Sequence, residues 1–245
     1  MKKILALLAF AAAAAFAVSC EDPNNPDDPS GGGGKEYKAP IEIDGDFSDW
    51  AKLDASKVQE FKCANNTSKK DLKLAKVYAD KYFVFIYVEF DYSAYDGEVS
   101  DSHFDIIING DNDTSTGGYE GPFDQGETPC IDLLIQGDVI AEGALADTYE
   151  PFVGTFAGEV NDPGWGWTEC EDLNVTNFIS GKGSKKAWEF RITRELYPAG
   201  KLAKNFTMGI FASVNGWNAT GALPNTEITE TNLDGRAPLA LINQN

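Results

Sequence analysis

The run at residues 82–90, YFVFIYVEF, constrains the fold of this chain more than any other segment. Eight of its nine residues are apolar or aromatic. Successive strand residues point to opposite faces, so a run apolar at nearly every step must be covered on both sides. This predicts a central strand packed between two layers. Phe104-Asp105-Ile106-Ile107-Ile108, Ile131-Asp132-Leu133-Leu134-Ile135 and residues 206–214 read as further buried strands. Residues 187–192 alternate with period two, which turns Trp188, Phe190 and Ile192 toward a core and Glu189 and Arg191 away from it. Residues 72–78 alternate at first, and Ala79-Asp80-Lys81 then turns the chain. No stretch of helical length carries a helical period; residues 194–204 hold one short turn at most, broken at Pro198-Ala199-Gly200. Many strands, turns rich in Gly, Asp and Asn, and almost no helix predict an all-β sandwich or barrel. No tandem repeat and no second linker interrupt it, so residues 38–245 read as one domain.

The amino-terminal end reads as an address. Met1-Lys2-Lys3 is a short positive region, and the next 15 residues, through Val18, are apolar without a break. That is too short for a stable span, and it ends at Ala17-Val18-Ser19-Cys20, the layout of a secretory signal over residues 1–19. Val18-Ser19-Cys20 resembles the bacterial lipobox, although Val stands where lipoboxes usually carry Leu. The resemblance implies that Cys20 is diacylated, with palmitate-type chains, and becomes the mature N-terminus. At ~0.8 kcal/mol per buried CH₂, two or three chains hold a protein on a membrane essentially permanently. The alternative is an ordinary signal peptide followed by a stray cysteine. Residues 20–37 are rich in acid, proline and glycine and leave nothing to bury, so they read as a tether. Acidic residues directly after a lipidated cysteine resemble the export signal that sends lipoproteins of Bacteroidota to the outer face of the outer membrane.

Charge excludes one class of function. The chain carries 20 Lys+Arg against 39 Asp+Glu, a formal net charge of −19. Phosphate backbones require Lys/Arg surfaces, so nucleic-acid binding is ruled out, and direct docking on anionic headgroups is disfavoured for the same reason. Cys63, Cys130 and Cys170 lie far apart with no C-x-x-C pairing and allow at most one internal disulfide. One histidine in the whole chain gives no support to a zinc site.

Ile41-Glu42-Ile43-Asp44-Gly45-Asp46-Phe47-Ser48-Asp49-Trp50 resembles the opening of family 9 carbohydrate-binding modules and the wider DOMON-like sandwich group, where an Ile-Asp-Gly turn precedes a tryptophan. Later segments follow that family's order. Residues 73–90 resemble its paired strands, residues 104–118 its strand leading into an Asp-rich loop, and residues 188–196 its amphipathic strand with a Trp-Glu start. Thr193-Arg194 replaces the proline usual after that strand. The resemblance spans most of residues 41–242 and implies a β-sandwich. It implies less about function, because this sandwich hosts sugar binders, haem domains and structural modules.

Asp111-Asn112-Asp113-Thr114-Ser115-Thr116-Gly117-Gly118 places oxygen side chains at alternate positions before two glycines. Such a loop can fold around Ca²⁺, with Asp111, Asp113 and Ser115 as ligands, although it is not an EF-hand. The alternative is a solvated Asx-turn loop. The resemblance adds weight to structural calcium. Of five tryptophans, Trp50 and Trp188 sit in core-like patterns. Trp165 and Trp167, in Pro163-Gly164-Trp165-Gly166-Trp167, and Trp217, in Asn215-Gly216-Trp217-Asn218, sit among glycines and polar residues. An exposed ring flanked by amides suits the C–H face and hydroxyl rim of a sugar. The alternative for each ring is to fold back over an edge of the sandwich. Tyr119 is a weaker aromatic candidate.

No nucleophile elbow, zincin motif or phosphate loop occurs, and 39 acids select no glycosidase pair. His103, at the start of a buried strand, reads as a satisfied structural histidine. Haem, which some DOMON-like domains hold through His, Met or Lys, would have to use His103 or Met208, and none is expected. The sequence therefore reads as a lipid-anchored, surface-exposed sandwich without catalytic activity. It would bind oligo- or polysaccharide for an uptake or degradation system. The alternative is a structural or protein-interaction accessory lipoprotein, for example one docked to an outer-membrane transporter.

Overall fold

Two antiparallel sheets face each other in the computed structural model, which describes residues 37–93, 95, 97–125, 130–158 and 166–245. Residues 1–19, read as a signal, Cys20 and most of the segment read as a tether lie outside the described residues. The strands are β1 Gln59–Lys62, β2 Leu72–Ala79, β3 Phe83–Phe90, β4 Ser102–Asn109, β5 Leu133–Ala141, β6 Ala144–Leu145 and β7 Phe152–Phe156. They continue with β8 Trp167–Glu169, β9 Ile179–Gly183, β10 Ala187–Thr193, β11 Asn205–Val214, β12 Ala219–Leu223 and β13 Ala240–Asn243. The smaller sheet has the order β1-β2-β3-β10-β9, and the larger β12-β11-β4-β5-β7-β8, with β13 beside β11 and β6 beside β5. This is the expected β-sandwich. The short turn expected near residue 194 is the 3-10 turn Arg194–Leu196.

The core lies between the sheets. Val84, Ile86 and Val88 of β3 meet Phe104, Ile106 and Ile108 of β4 there, with Trp188, Phe190 and Ile192 of β10. Trp188 is fully buried and stacks on Phe190, with centroids 5.9 Å apart. At one side the sandwich is stitched shut through the backbone: Asp71 N–H donates to Thr220 O, and Ala222 N–H to Lys69 O. Gly221 permits this approach, because a Cβ there would stand 2.5 Å from the Leu72 nitrogen.

The second face of β3 is covered by the segment that resembles the module opening. Glu189 does point away from the main core, as its alternation predicts, but it is fully buried and does not reach water. Its Oε1 accepts the Asp44 and Gly45 N–H groups at 3.1 and 2.9 Å, and its Oε2 accepts the Trp50 indole N–H at 3.2 Å. Gly45 turns at φ +85°, a region that favours glycine. Burial pushes the Glu189 carboxyl up, and the three donors oppose that shift. The Ile-Asp-Gly…Trp pattern is thus a cap that satisfies one buried carboxylate, and Trp50 is a core ring.

Candidate functional site

The connections at residues 91–93, 97–101, 142–143, 184–186 and 215–218 all lie at one end of the sandwich, beyond the start of β4 and the end of β11. Trp217 stands out there at 69% exposure. It follows Asn215 and Gly216, both at positive φ. Asn215 ties the loop down. Its Oδ1 accepts from the N–H groups of Ser100 (2.8 Å) and Asp101 (3.2 Å), and its Nδ2 donates to Glu98 O at 3.2 Å. The indole lies flat on His103, with centroids 4.3 Å apart and planes 12° from parallel. His103 is itself fixed, its Nδ1 hydrogen-bonded to Asp138 Oδ1. A carboxylate only accepts, so this bond makes Nδ1 the protonated nitrogen. The result is an exposed aromatic plate on a rigid base.

Ser213, His103 and Asp138 are direct cross-strand neighbours on β11, β4 and β5. They do not make a working nucleophile. The Ser213 hydroxyl is fully buried and has no hydrogen-bond partner among the described residues, the imidazole included, so His103 does not activate it. His103 is the satisfied histidine that its position predicts.

Residues 98–101, clamped by Asn215, separate the Trp217 plate from a groove of about 890 Å³ at the same end. Glu98 and Val99 belong to its lining, with Phe47, Tyr87 and Tyr92 as aromatic walls and Lys73, Lys185 and Lys186 as cations. Phe47 meets Tyr87 edge-on at 5.2 Å, and the Tyr87 hydroxyl donates to Glu89 Oε1 at 2.8 Å. The Tyr92 hydroxyl shares a 2.5 Å hydrogen bond with the Ser102 hydroxyl. Burial, first, raises both phenols, so they are neutral donors.

The other aromatic candidates are elsewhere. Trp167 is a correction: it is 6% exposed and is not a solvent-facing plate. Strand β8 pairs with β7, which sets Trp167 opposite Phe156 and into a second core with Ile131, Leu134 and Phe211, on the larger sheet's outer face. Its indole N–H donates to Glu120 Oε2 at 2.9 Å. Trp165 lies outside the described residues. Tyr119 is 46% exposed, in the segment that leads from the Asp-rich loop to Glu120.

The Asp-rich loop follows the far end of β4, a strand length (roughly 25 Å) from Trp217. Asp111 Oδ1 accepts the Asp113 N–H at 2.7 Å, and Asp113 Oδ1 accepts the Ser115 N–H and hydroxyl at 2.8 and 2.6 Å. The two Ser115 donors hold the exposed Asp113 carboxyl below its usual range. These are Asx turns, in which each aspartate serves the loop's own backbone. Among the described residues no group of three or more His, Cys, Asp or Glu side chains is placed to hold a metal ion.

Met208 and His103 do not converge. Met208 faces the main core opposite Ile108, whereas His103 lies five residues away along β4, beneath Trp217. Cys63, Cys130 and Cys170 are free thiols.

Sequence reasoning missed the groove, because it is assembled from segments far apart in the chain. No family model matches this protein, and no curated protein matches it.

Proposed function

We propose that this protein is a lipid-anchored lipoprotein of the outer-membrane surface whose sandwich captures oligo- or polysaccharide non-covalently. The observation that carries the reading is Trp217, 69% exposed yet held flat on a fixed histidine, at the same end of the sandwich as the groove. A sugar offers an apolar C–H face to such a plate, while its hydroxyls meet the carboxylates and phenols that line the groove. The likeness of residues 41–50 to family 9 carbohydrate-binding modules and DOMON-like domains is consistent with this reading. Single modules of this kind bind weakly, and many copies anchored on one membrane add avidity.

The competing reading is an accessory lipoprotein that docks to a membrane transporter. Leu233 and Leu241, 73% and 53% exposed, favour it. A glycan array probed with the detergent-solubilised full chain separates the two: glycan capture supports the first reading, and silence against every glycan supports the second. For the anchor, Cys20→Ser is expected to abolish palmitate labelling and surface exposure. Unlabelled wild-type protein in the soluble periplasmic fraction would refute it.

A further inference from the structure

We propose that the groove at the loop end receives the charged units of an acidic glycan, with Lys73, Lys185 and Lys186 meeting their carboxylate or sulfate groups. This rests on the glycan-binding reading and narrows it to a substrate class. The first support is size: about 890 Å³ falls within the range of roughly 300–1,000 Å³ typical of ligand pockets.

The second support is where the cations are. The chain has only 20 basic residues against 39 acidic ones, yet three lysines line this one groove. Among the described residues none of the three is in an ion pair, although Asp91, whose carboxyl the Ser93 hydrogen bonds hold low, lies near enough to Lys73 and Lys186 for them to add to that shift. Glu89, Asp91 and Glu98 line the groove as well, which leaves the lining neutral on a protein of formal charge −19. An anion repelled by the rest of the surface is not repelled here.

The third support is that the lysines are presented on fixed backbone. Ser184 N–H donates to Ala187 O at 2.8 Å, and the Ser184 hydroxyl accepts the N–H groups of Lys186 and Ala187 at 3.2 and 3.3 Å. Lys73 Nζ donates to Lys70 O at 2.8 Å, which anchors its side chain and leaves donor capacity for a ligand. The acids are in part already engaged: Glu89 accepts from Tyr87, and Asp91 Oδ1 accepts the Ser93 N–H at 2.9 Å. Their remaining lone pairs suit sugar hydroxyls, while the ammonium groups suit anionic substituents.

The test is affinity electrophoresis of the full chain in neutral detergent against polygalacturonate, alginate and chondroitin sulfate. Methyl-esterified polygalacturonate, xylan and mannan serve as neutral comparators. The expected result is retardation by at least one anionic polymer that is lost on methyl esterification or added salt. Lys185→Gln/Lys186→Gln is expected to weaken it about tenfold or more. Melting curves establish that this variant is folded, and Lys73→Gln provides an independent second test. Binding confined to neutral polymers, or anionic binding unchanged in both lysine variants, overturns this inference and leaves the glycan reading standing. Retardation by no polymer overturns both.

Discussion

Replacing Asp105 with asparagine should stabilise the protein, and should do so only above acidic pH. Asp105 is 1% exposed on β4, opposite Gln136 of β5, and one of its carboxyl oxygens is buried without a hydrogen-bond partner among the described residues. Burial is the main cause that pushes its carboxyl from 3.8 up to about 8; Glu120 and Asp138 add repulsion, and a hydrogen bond from Gln136 opposes the shift. The folded protein therefore keeps a proton that the unfolded chain releases between those two values. Stability from this group is highest below about pH 4 and falls as pH rises toward 8. At pH 7 the cost of holding the proton reaches at most about 4 kcal/mol, from roughly 1.4 kcal/mol per pH unit above 3.8. Asparagine has nearly the same shape, accepts from Gln136 and carries no proton to lose. Urea unfolding followed by tryptophan fluorescence should show Asp105→Asn more stable by about 1–4 kcal/mol near pH 7, with no difference near pH 4. Equal effects at both pH values, or destabilisation near pH 7, would refute the buried-proton argument.

Trp167→Ala should lower stability by about 3–5 kcal/mol, read in the same urea assay, because it empties the second core and leaves Glu120 without its indole donor. Glu189→Ala should cost about 3 kcal/mol or more, since it unpairs the Asp44, Gly45 and Trp50 donors together; an exposed glutamate would cost almost nothing. If the Asp-rich loop holds calcium, millimolar calcium should raise Tm in wild type but not in Asp111→Ala/Asp113→Ala. An unchanged wild-type Tm removes calcium from the account.

The strands that were legible in the sequence are those whose patterns follow from burial alone. Residues 82–90 and 104–108 are apolar because a neighbouring layer covers them, and Trp188, Phe190 and Ile192 alternate because one face meets the main core. Strands β7, β9 and β12 escaped notice because they are short and interrupted by glycine, as in Phe152–Phe156 and Ile179–Gly183. Trp167 was misread for the same reason: three residues of edge strand surrounded by glycine and polar groups look like a loop until β7 pairs with them. Glu189 was placed on the correct side of its strand, but alternation cannot report that a distant segment folds over that side. Of the candidate site, Trp217 was legible from its polar, glycine-containing context. Its base was not, because His103 and Asp138 reach it only through strand pairing across β4, β5 and β11.

The central claim is that Trp217 binds a sugar face while contributing little to the fold, and one paired measurement tests it. With a glycan identified on the array, titration of wild type and Trp217→Ala should show affinity falling about tenfold or more, while Tm moves by no more than about 2 °C. Unchanged affinity, or a Tm loss as large as that of Trp167→Ala, would contradict the claim.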